Sequence, residues 1–432
     1  MNLSTQPYKG ARDFYPEDKR VQKYMFDLLR QVVERFGYQE YDAPVLEPME
    51  LYLSKSSEEI VSEQTYSFTD RGGRNVTLRP EMTPTVSRMV AARRQGLAYP
   101  LRWYSIPDLW RYERPQAGRL RQHYQLNVDL FGVAGIEADH EIIQVADAIL
   151  QAFGADRSMY SIRLNSRLLI NEILNDYVEG SDEQVLALMR LIDHKAKMPH
   201  QDFLEAVAQL VPAGREHELV KLLSLETFDE LPGRYHSHPS VAELLKLKQL
   251  LSINGITNVK DDLSLMRGFD YYTDIVFEVF DTHPDNNRSM FGGGRYDGLI
   301  GLFGVEPLPT VGFGMGDVTL LNFIKAHNLM EDFGPETDVV AILIGDIYKD
   351  AQAMLSKLRD MGMTMAVDTT DRKLDTKIRH AEKSGVSGVL FIGEEELKNN
   401  NVRIKHFKSK QEKTFSLDEL KDAYRRWIEE SD

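Results

Sequence analysis

The sequence predicts an α+β protein with two globular regions, a large domain of residues 1–325 and a small α/β domain of residues 338–432. At 432 residues, the chain is too long for a single compact core. Before residue 325, helical patterns mix with short runs in which polarity alternates at every residue, the pattern of half-buried strands. Beyond residue 338, short apolar runs alternate with helical ones, which favours an α/β domain.

A stretch of about 170–250 in the large domain predicts a helical insertion. The segments RLLINEILNDYV, DEQVLALMRLIDHKAK and HPSVAELLKLKQLLSI all lie in this stretch. Each repeats apolar residues at helical spacing, so that one face of each helix would be apolar. We therefore expect a subdomain that is almost wholly helical.

A linker is predicted at 326–337, where HNLMEDFGPET loses all periodicity around Gly334 and Pro335. The elements predicted beyond it are strands at 339–344, 364–367 and 389–392, and helices at 350–360, 373–383 and 417–428. Regular alternation of strands and helices is typical of parallel pairing. We expect a mostly parallel sheet in this domain.

The charge distribution favours one specific polyanion over nucleic acids in general. The net charge of −15 opposes general nucleic-acid binding, which needs clustered cations. Two stretches are nevertheless basic: 88–121 has eight arginines against two acids, a net charge of +6, and 372–413 has eleven Lys or Arg against six acids, a net charge of +5. From charge alone, the alternative is that the two basic stretches are solvated surfaces that bind no polyanion.

The sequence has no cysteine, which excludes disulfides and thiolate metal sites and favours a reducing compartment. The first residues, MNLSTQPYKGARDFYPED, lack the apolar core of a signal peptide. No apolar run approaches the roughly 20 residues that a membrane span requires. We expect a cytoplasmic protein with no membrane partner.

The most informative segment is WYSIPDLWRYERPQAGRLRQHYQLNVDLFG at 103–132, which predicts a long antiparallel hairpin around a turn at PQAG. Its second run alternates, with His123, Gln125, Asn127 and Asp129 on one face and Tyr124, Leu126, Val128 and Leu130 on the other. Arginines crowd the tip, at Arg111, Arg114, Arg119 and Arg121. Guanidinium groups bind phosphate and carboxylate bidentately, so the polar face predicts anion binding. A purely structural hairpin is the alternative.

A second polar segment is LRPEMTP at 78–84. It brings the carboxylate of Glu81 and the hydroxyl of Thr83 just before a helix that begins near Pro84. The alternative is a plain helix N-terminus, capped by Thr83, with Glu81 incidental.

A third segment, MRGFDYYT at 266–273, places Arg267, Asp270, Tyr271 and Tyr272 closely before a strand at 275–280. A cation with two phenols at a strand end suits a binding site. A turn stabilised by aromatic packing is the alternative.

Two glycine-rich segments are weaker signals. GGGRYDGL at 292–299 would let the backbone approach a flat ligand or another strand. GFGMGD at 312–317 superficially resembles a dinucleotide-binding turn, but the required strand, helix and later acid are not convincing, so we reject that function. His236 and His238 could form half a metal site, but a solvated loop is the preferred interpretation. No metal is assigned to protein ligands.

Together these segments resemble histidyl-tRNA synthetases along nearly the whole chain. RYERPQAGRLRQ looks like class II motif 2 in its histidine-specific form, and RGFDYYT and GGGRYDGL look like the two peptides peculiar to this family. LRPEMT matches the family's substrate-binding turn, and KGARDFYPED, a helix and FGY resemble its N-terminus and motif 1. The last hundred residues are similar to its anticodon-binding domain. The order and spacing of the segments match as well.

The resemblance implies a class II catalytic domain, built on an antiparallel sheet flanked by helices and dimerised through motif 1. It implies ATP with Mg²⁺, L-histidine and tRNA(His) as partners of a homodimer. The histidine carboxylate would attack the ATP α-phosphate to give histidyl-adenylate and diphosphate. The terminal ribose of tRNA would then take the histidyl group and release AMP.

The resemblance also assigns roles. Arg111 and Arg267 would be catalytic cations at the α-phosphate. The histidine-binding residues would be Glu81, Thr83, Gln125, Asp129, Tyr271 and Tyr272. The ATP-binding residues would be Arg111, Arg119, Arg121, Gly293, Gly294 and Arg267. At the hairpin tip, Arg114 and Gln116 would contact the acceptor end of tRNA.

Two positions depart from the family. Many members have glutamate where this chain has Asp129, and the shorter side chain changes reach but not charge. Motif 3 normally ends in an arginine that holds the ATP γ-phosphate, whereas PTVGFGMGDVTLL has Thr319 there. Arg119, Arg121 or an extra metal ion would have to compensate.

Two other functions compete with tRNA charging. A paralogous family serves as the regulatory subunit of ATP phosphoribosyltransferase, but it typically lacks the C-terminal domain and has an eroded form of the RGFDYYT peptide. A class II synthetase for another amino acid is the second alternative, and Asp129 with the pair Tyr271 and Tyr272 argues against it.

Overall fold

The chain forms two compact units. The computed structural model describes residues 3–53, 64–116, 118–178, 182–195, 198–267, 271–286, 288–331 and 333–418, with Leu420, Ala423 and Trp427. The first unit holds the residues up to Asp13 and Lys23–Met330, and the second holds Phe14–Gln22 and the residues from Glu331 onward. Across the described residues, no helix has the length and apolarity needed to cross a bilayer.

Helices occur throughout the chain. Those before residue 330 are α1 Pro16–Arg35, α2 Glu50–Leu53, α3 Thr83–Ala92, α4 Glu137–Ala152, α5 Arg167–Tyr177, α6 Asp182–Asp193, α7 His200–Ala208, α8 Glu216–Leu222, α9 Gly233–His236, α10 Pro239–Ile253 and α11 Asp317–Ala326. Those after it are α12 Gln352–Asp360, α13 Leu374–Lys383 and α14 Glu394–Asn399.

Strands group into three sheets. Those before residue 330 are β1 Gln39–Glu40, β2 Leu46–Pro48, β3 Tyr66–Thr69, β4 Asn75–Leu78, β5 Leu101–Ser105, β6 Asp108–Trp110, β7 Gln122–Phe131, β8 Tyr160–Ser166, β9 Val259–Asp261, β10 Ile275–Asp281, β11 Ser289–Arg295 and β12 Thr310–Gly316. Those after it are β13 Val339–Leu343, β14 Met365–Asp368, β15 Gly388–Ile392, β16 Asn401–His406 and β17 Glu412–Ser416.

The largest sheet carries the candidate site. Over the described residues its order is β1-β5-β7-β12-β11-β10-β8-β9, with β6 also paired to β7. Every pairing is antiparallel except the two outermost ones, β1 with β5 and β8 with β9, which are parallel. A smaller sheet, in the order β2-β4-β3, precedes α3. The predicted antiparallel sheet with flanking helices is confirmed.

The stretch predicted to be a helical insertion contains α5 to α10. Helix α5 begins after Ser166, whose hydroxyl accepts a hydrogen bond from the amide of Leu169 at 3.3 Å, as an N-cap does. Helix α10 is capped by His238, whose Nδ1 accepts from the amide of Ser240 at 3.2 Å. His238 lies in the bend between α9 and α10, as a loop residue does, but its side chain is only 12% exposed and caps α10, so it is less solvated than expected. His236 is exposed and ends α9.

The second unit has one mixed sheet, in the order β14-β13-β15-β16-β17. The pairings of β13 with β14 and β15 are parallel, and those of β16 with β15 and β17 are antiparallel. The expectation of a mostly parallel sheet is wrong, since the hairpin β16–β17 was missed. Its core-facing residues Val402, Ile404 and Phe415 are separated by charged ones, so the segment looked like a basic surface. The predicted helix at 417–428 lies largely outside the described residues.

Candidate active site

The predicted hairpin forms the centre of the candidate site. Strand β7 pairs antiparallel with β5 and β6, with Trp103 opposite Asp129 and Leu109 opposite His123. At the tip, the amide of Gln116 donates to the carbonyl of Arg119 at 3.0 Å, and the reverse bond is 2.9 Å. Gly118 has φ +82°, a conformation that residues with a side chain rarely adopt. The hairpin prediction is confirmed, with its turn at the predicted position.

The polar face of β7 ends in a buried acid. Asp129 is 4% exposed, and its Oδ1 accepts a hydrogen bond from the hydroxyl of Tyr296. Its Oδ2 is buried without a hydrogen-bond partner in the described part of the chain. Burial raises the pKa of Asp129 to about 7, although the bond from Tyr296 opposes this rise. A buried carboxylate with one open oxygen is suited to accept a hydrogen bond from a ligand.

Glycines on the neighbouring strand make room for this polar face. Gly312 lies opposite Asp129 in the register of β12 and β7. A Cβ built on Gly312 would collide with Oδ1 of Asp129, and one built on Gly314 would lie 2.9 Å from Nε2 of Gln125. The GFGMG segment is therefore a strand that leaves space for two candidate histidine-binding side chains, a role that its resemblance to a turn had hidden.

A second acid, Glu81, is connected to the same group of residues through Tyr271. It is 2% exposed, and its Oε2 accepts from the hydroxyl of Tyr271 at 3.2 Å. Burial and the charge of Glu81 raise the pKa of Tyr271 well above its usual value, while the hydroxyl of Thr83 opposes the shift. The cap of α3 is Met82, which makes no side-chain capping bond, so the alternative that Thr83 only caps this helix is wrong. Glu81, Thr83 and Tyr271 are thus neighbours.

The tyrosines form a continuous aromatic wall. The rings of Tyr271 and Tyr272 lie 4.9 Å apart, and those of Tyr271 and Tyr296 lie 5.8 Å apart in an edge-on arrangement. All three rings are buried, at 7%, 8% and 2% exposure in that order. The hydroxyls of Tyr271 and Tyr296 contact the carboxylates of Glu81 and Asp129, and we call this group of residues the slot. Aromatic side chains together with two carboxylates suit a small polar ring with an ammonium group.

Arg267 is held next to this wall by an ion pair. Its Nη1 lies 2.7 Å from Oε1 of Glu278, and its guanidinium carbon is 5.9 Å from the ring centre of Tyr272. A Cβ built on Gly292 would collide with the backbone carbonyl oxygen of Phe277 and lie 2.9 Å from Nη1, so the first glycine of GGGRYDGL allows the close approach of β10 and leaves space for this cation. Residues 268–270 of the same peptide lie outside the described residues.

The backbone at Arg267 is unusual. Its φ is +58°, a left-handed conformation that is uncommon outside glycine. The Nη1 of Arg167 donates to the carbonyl of Met266 at 3.0 Å and approaches that of Arg267 at 3.4 Å. A strained conformation that neighbouring groups hold in place is frequent at functional sites.

Arg111 lies at the base of the hairpin tip. Its Nε donates to the carbonyl of Pro80 at 2.8 Å, next to Glu81. Burial and then the positive charges of Arg111 and Arg12 lower the pKa of His123 to about 3. His123 is therefore neutral at pH 7, and Arg111 contributes positive charge to the polar face.

The remaining tip residues separate into two groups. The Nη1 of Arg119 lies 3.4 Å from Oε2 of Glu113, with the arginine side chain 56% exposed. Arg114 and Gln116 are also exposed. Arg121 instead lies 4.0 Å from the ring centre of Tyr112 and donates to the hydroxyl of Tyr8 at 3.0 Å.

The glycine strand and Thr319 complete the site. Gly293 and Gly294 lie within β11, where a Cβ on either would collide with the strands β12 and β10. These two glycines therefore allow the close approach of another strand, which is one of the two functions expected from the sequence, the other being contact with a flat ligand. Thr319 donates its hydroxyl to the carbonyl of Met290 at 2.8 Å. A Cβ on Gly118 would be 3.7 Å from its methyl and 4.0 Å from Nη1 of Arg288.

Sequence reasoning missed Tyr296 and Glu278, which contact the candidate site residues Asp129 and Arg267. Tyr296 is part of the GGGRYDGL peptide, and Glu278 lies on the strand that follows RGFDYYT. Neither had a local signal of its role, because each acts on a residue from another part of the chain. Within the described residues, no group of three or more His, Cys, Asp or Glu side chains could hold a metal ion.

Comparisons with known proteins agree with this architecture. A family model for histidyl-tRNA synthetase matches residues 10–318, and one for an anticodon-binding domain matches residues 338–427. A histidine–tRNA ligase of Leptospira biflexa serovar Patoc is 42% identical over 425 residues, 97% of each chain.

Solved structures have the same fold. A histidyl-tRNA synthetase from Nostoc sp. PCC 7120 has a TM-score of 0.82 at 19% identity, covering 99% of this chain and 100% of the other. A protein from Bacillus halodurans, described as an ATP phosphoribosyltransferase regulatory subunit/histidyl-tRNA synthetase, has a TM-score of 0.76 at 25% identity, covering 91% and 99%.

The antiparallel sheet, the motif 2 hairpin and the C-terminal domain define a class II aminoacyl-tRNA synthetase. Because the family model spans most of the chain and the Leptospira relative matches nearly all of it, the chain belongs to the histidyl-tRNA synthetase family.

Proposed function

We propose that this protein attaches L-histidine to tRNA(His) in two steps, through a histidyl-adenylate, and releases AMP and diphosphate. The observation that carries the proposal is that Tyr271 and Tyr296 link the carboxylates of Glu81 and Asp129 in one buried cluster beside Arg267. A slot with acids at two points matches an amino acid that has an ammonium group and a second N–H donor in its side chain.

In the first step, Arg267 and Arg111 would stabilise the charge that develops on the α-phosphate. In-line attack by the histidine carboxylate places negative charge on the phosphate oxygens, and fixed cations there lower the barrier. The ion pair with Glu278 keeps Arg267 in position before substrate binds, so little reorganisation is needed. Gly293 and Gly294, whose lack of side chains admits the neighbouring strands, would offer backbone to the nucleotide.

Histidine would be held at both ends. Glu81, Thr83 and Gln125 would bind its α-amino group, since they supply two side-chain oxygens and a carboxylate. Asp129 and Tyr272 would pair with the imidazole, and Tyr271 would line the slot. Pairing of buried polar groups with both ring nitrogens discriminates strongly, because any other amino acid would leave them unmatched.

Mg²⁺ would enter with ATP, mainly on its phosphates. The described residues contain no cluster of acids or histidines that could bind an ion by itself. The cation on the γ-phosphate is proposed to be Arg119, because its side chain is 56% exposed and its ion pair with Glu113 is long at 3.4 Å, whereas Arg121 packs on Tyr112 and donates to Tyr8 at 3.0 Å. Arg114 and Gln116, both exposed at the tip, would contact the acceptor end of tRNA.

The second unit is proposed to bind the anticodon arm through its basic stretch. Replacing the exposed cations Arg372, Lys373 and Arg379 by glutamine should weaken tRNA binding and leave histidine-dependent diphosphate exchange unchanged. The slope of log Kd against log salt concentration should fall by about 0.7–0.9 for each phosphate that the variant no longer neutralises. Filter binding at several salt concentrations measures this slope.

A matched control removes two cations of the same unit outside the basic stretch. Lys357 and Arg359 lie on α12, and Lys357 pairs with Asp418 at 3.4 Å. Their replacement by glutamine should change the salt slope little. Equal slopes for the two variants would contradict the proposed anticodon surface. Point substitution is preferable to truncation, because residues 14–22 belong to this unit.

We also propose that the protein acts in the cytoplasm as a homodimer. Three large apolar side chains, Leu46, Leu53 and Phe68, are 43%, 57% and 52% exposed around the small sheet, as expected for a surface that another subunit covers. Sedimentation equilibrium should give twice the chain mass of 49.6 kDa. A monomer at micromolar concentration would contradict this part of the proposal.

The decisive experiment is histidine-dependent exchange of diphosphate into ATP, followed by charging of tRNA(His). A ligase should show both, with exchange in the absence of tRNA. A regulatory subunit should show neither, and a synthetase for another amino acid should exchange with that amino acid instead. The match of an anticodon-binding domain at 338–427 favours the ligase over the regulatory subunit.

A further inference from the structure

Tyr296 is placed to control the acid of the slot. The residue directly follows strand β11, and its ring is 2% exposed. Its hydroxyl donates to Oδ1 of Asp129, a residue 167 positions earlier in the chain. Oδ2 of the same carboxylate is buried and unpartnered in the described part of the chain. One oxygen is therefore fixed, and the other remains an acceptor.

Oδ1 of Asp129 lies on the side of strand β12. Gly312 faces it from β12 so closely that a Cβ there would collide with Oδ1. The backbone on one side and the hydroxyl of Tyr296 together determine which oxygen is directed away from them. The ring of Tyr296 is itself held by an edge-on contact with Tyr271 at 5.8 Å.

The bond from Tyr296 also affects the charge of Asp129. Burial favours the protonated acid, which would offer a donor in place of an acceptor. A hydrogen bond to the ionised form lowers the pKa and so favours the carboxylate. The hydroxyl therefore aims Asp129 and helps to keep it ionised near neutral pH.

We propose that Tyr296 is a specificity-determining positioning residue, whose hydroxyl fixes Oδ1 of Asp129 so that Oδ2 accepts the imidazole N–H of histidine. This inference rests on the proposed function, because it names how one residue of that site is set for its ligand. Tyr296 does not contact the reacting atoms. It acts on histidine only through Asp129.

The test is Tyr296→Phe, which removes one hydroxyl and retains the ring. The Michaelis constant for histidine in diphosphate exchange should rise about tenfold, while kcat and the constant for ATP change little. As the pH is lowered from about 8.5, the Michaelis constant for histidine should begin to rise at a higher pH in the variant than in the wild type. The reason is that the pKa of Asp129 increases when the hydrogen bond is lost. The Michaelis constant does not depend on the amount of active enzyme, so partial unfolding cannot mimic this result.

A double-mutant cycle with Asp129→Asn separates positioning from general stability. If Tyr296 acts through Asp129, the double variant should bind histidine about as weakly as Asp129→Asn alone. Tyr160→Phe is the matched control, because its buried hydroxyl also donates to an aspartate, Asp147, at 2.5 Å. It should leave the Michaelis constant for histidine and its pH dependence unchanged.

Two results would overturn the inference: a histidine constant for Tyr296→Phe equal to that of Tyr160→Phe, or fully additive effects in the cycle. Both outcomes leave histidine-dependent exchange by the wild-type protein intact. Absence of that exchange in the wild type would instead overturn the proposed function. The two failures are therefore distinguishable.

Discussion

Replacing Arg267 by histidine should lower the rate of adenylate formation by about 10²–10³-fold. The guanidinium lies beside the aromatic wall and is held by Glu278 at 2.7 Å, so it is fixed before the charge on the α-phosphate develops. A cation used mainly in the transition state affects turnover more than binding. The Michaelis constants for ATP and histidine should therefore change less. Pre-steady-state formation of adenylate measures the step directly.

The transfer step provides an internal comparison for this variant. Its charge develops at the carbonyl, so transfer to tRNA from preformed adenylate should suffer less than adenylate formation. Arg163→His is the matched control, since Arg163 also pairs with an acid, Asp262 at 2.9 Å, at the same large sheet. Thermal unfolding of both variants shows how much stability each ion pair provides.

A folded Arg267→His protein with near-normal adenylate formation would rule out the catalytic role. If Arg267 only braces the turn before β10, activity should instead fall in proportion to the unfolded fraction. The same loss should then appear in Arg163→His at equal destabilisation. The two hypotheses thus differ in the activity of the folded molecules.

Asp129→Asn should raise the Michaelis constant for histidine by about 10- to 100-fold, the cost of losing a hydrogen bond to a charged group. The amide oxygen would accept from Tyr296 as Oδ1 does, so the amide NH₂ would replace Oδ2 in the slot. A donor would then face the imidazole N–H. The constant for ATP should change little, and steady-state diphosphate exchange with each substrate varied measures both. An unchanged histidine constant would show that the assignment of Asp129 is wrong.

The same variant should be at least as stable as the wild type above pH 7. Burial raises the pKa of Asp129 to about 7, so the folded protein binds a proton that the unfolded chain has lost at that pH. The contribution of this group to stability therefore falls as pH rises from about 4 to about 7. Asparagine carries no charge and avoids this cost. Thermal unfolding at about pH 8 should show it, and a clearly less stable variant would contradict the burial argument.

Several features of the site are determined by local sequence. The alternation from His123 to Leu130 shows that Asp129 lies on a polar face, because side chains on a strand alternate with a period of two. The PQAG turn sets the hairpin, since Gly118 adopts a positive φ. These features depend on neighbours within about ten residues, so pattern and turn chemistry suffice to predict them.

Local patterns also misled in identifiable places. Charged residues separate the core-facing Val402, Ile404 and Phe415, so the segment of the hairpin β16–β17 has the composition of a basic surface although its polarity alternates as in a strand. The glycines of GFGMG superficially resemble a dinucleotide-binding turn, a function that the sequence context excludes. In the structure they lie on strand β12, where they leave space for neighbouring side chains. Glycine is compatible with turns and with close approach alike, and only the neighbours distinguish the two.

The sequence by itself determined the family, the hairpin and the identity of the acids and cations. Only the tertiary structure decided that Tyr296 donates to Asp129, that Glu278 holds Arg267, and that Oδ2 of Asp129 is open. The first contact joins residues 167 positions apart, and the second joins a residue before β10 to one within that strand. The burial of a residue and its pairing partner depend on the packing of the whole sheet. The local alternation of polarity in the sequence does not predict which side chains become neighbours across that sheet.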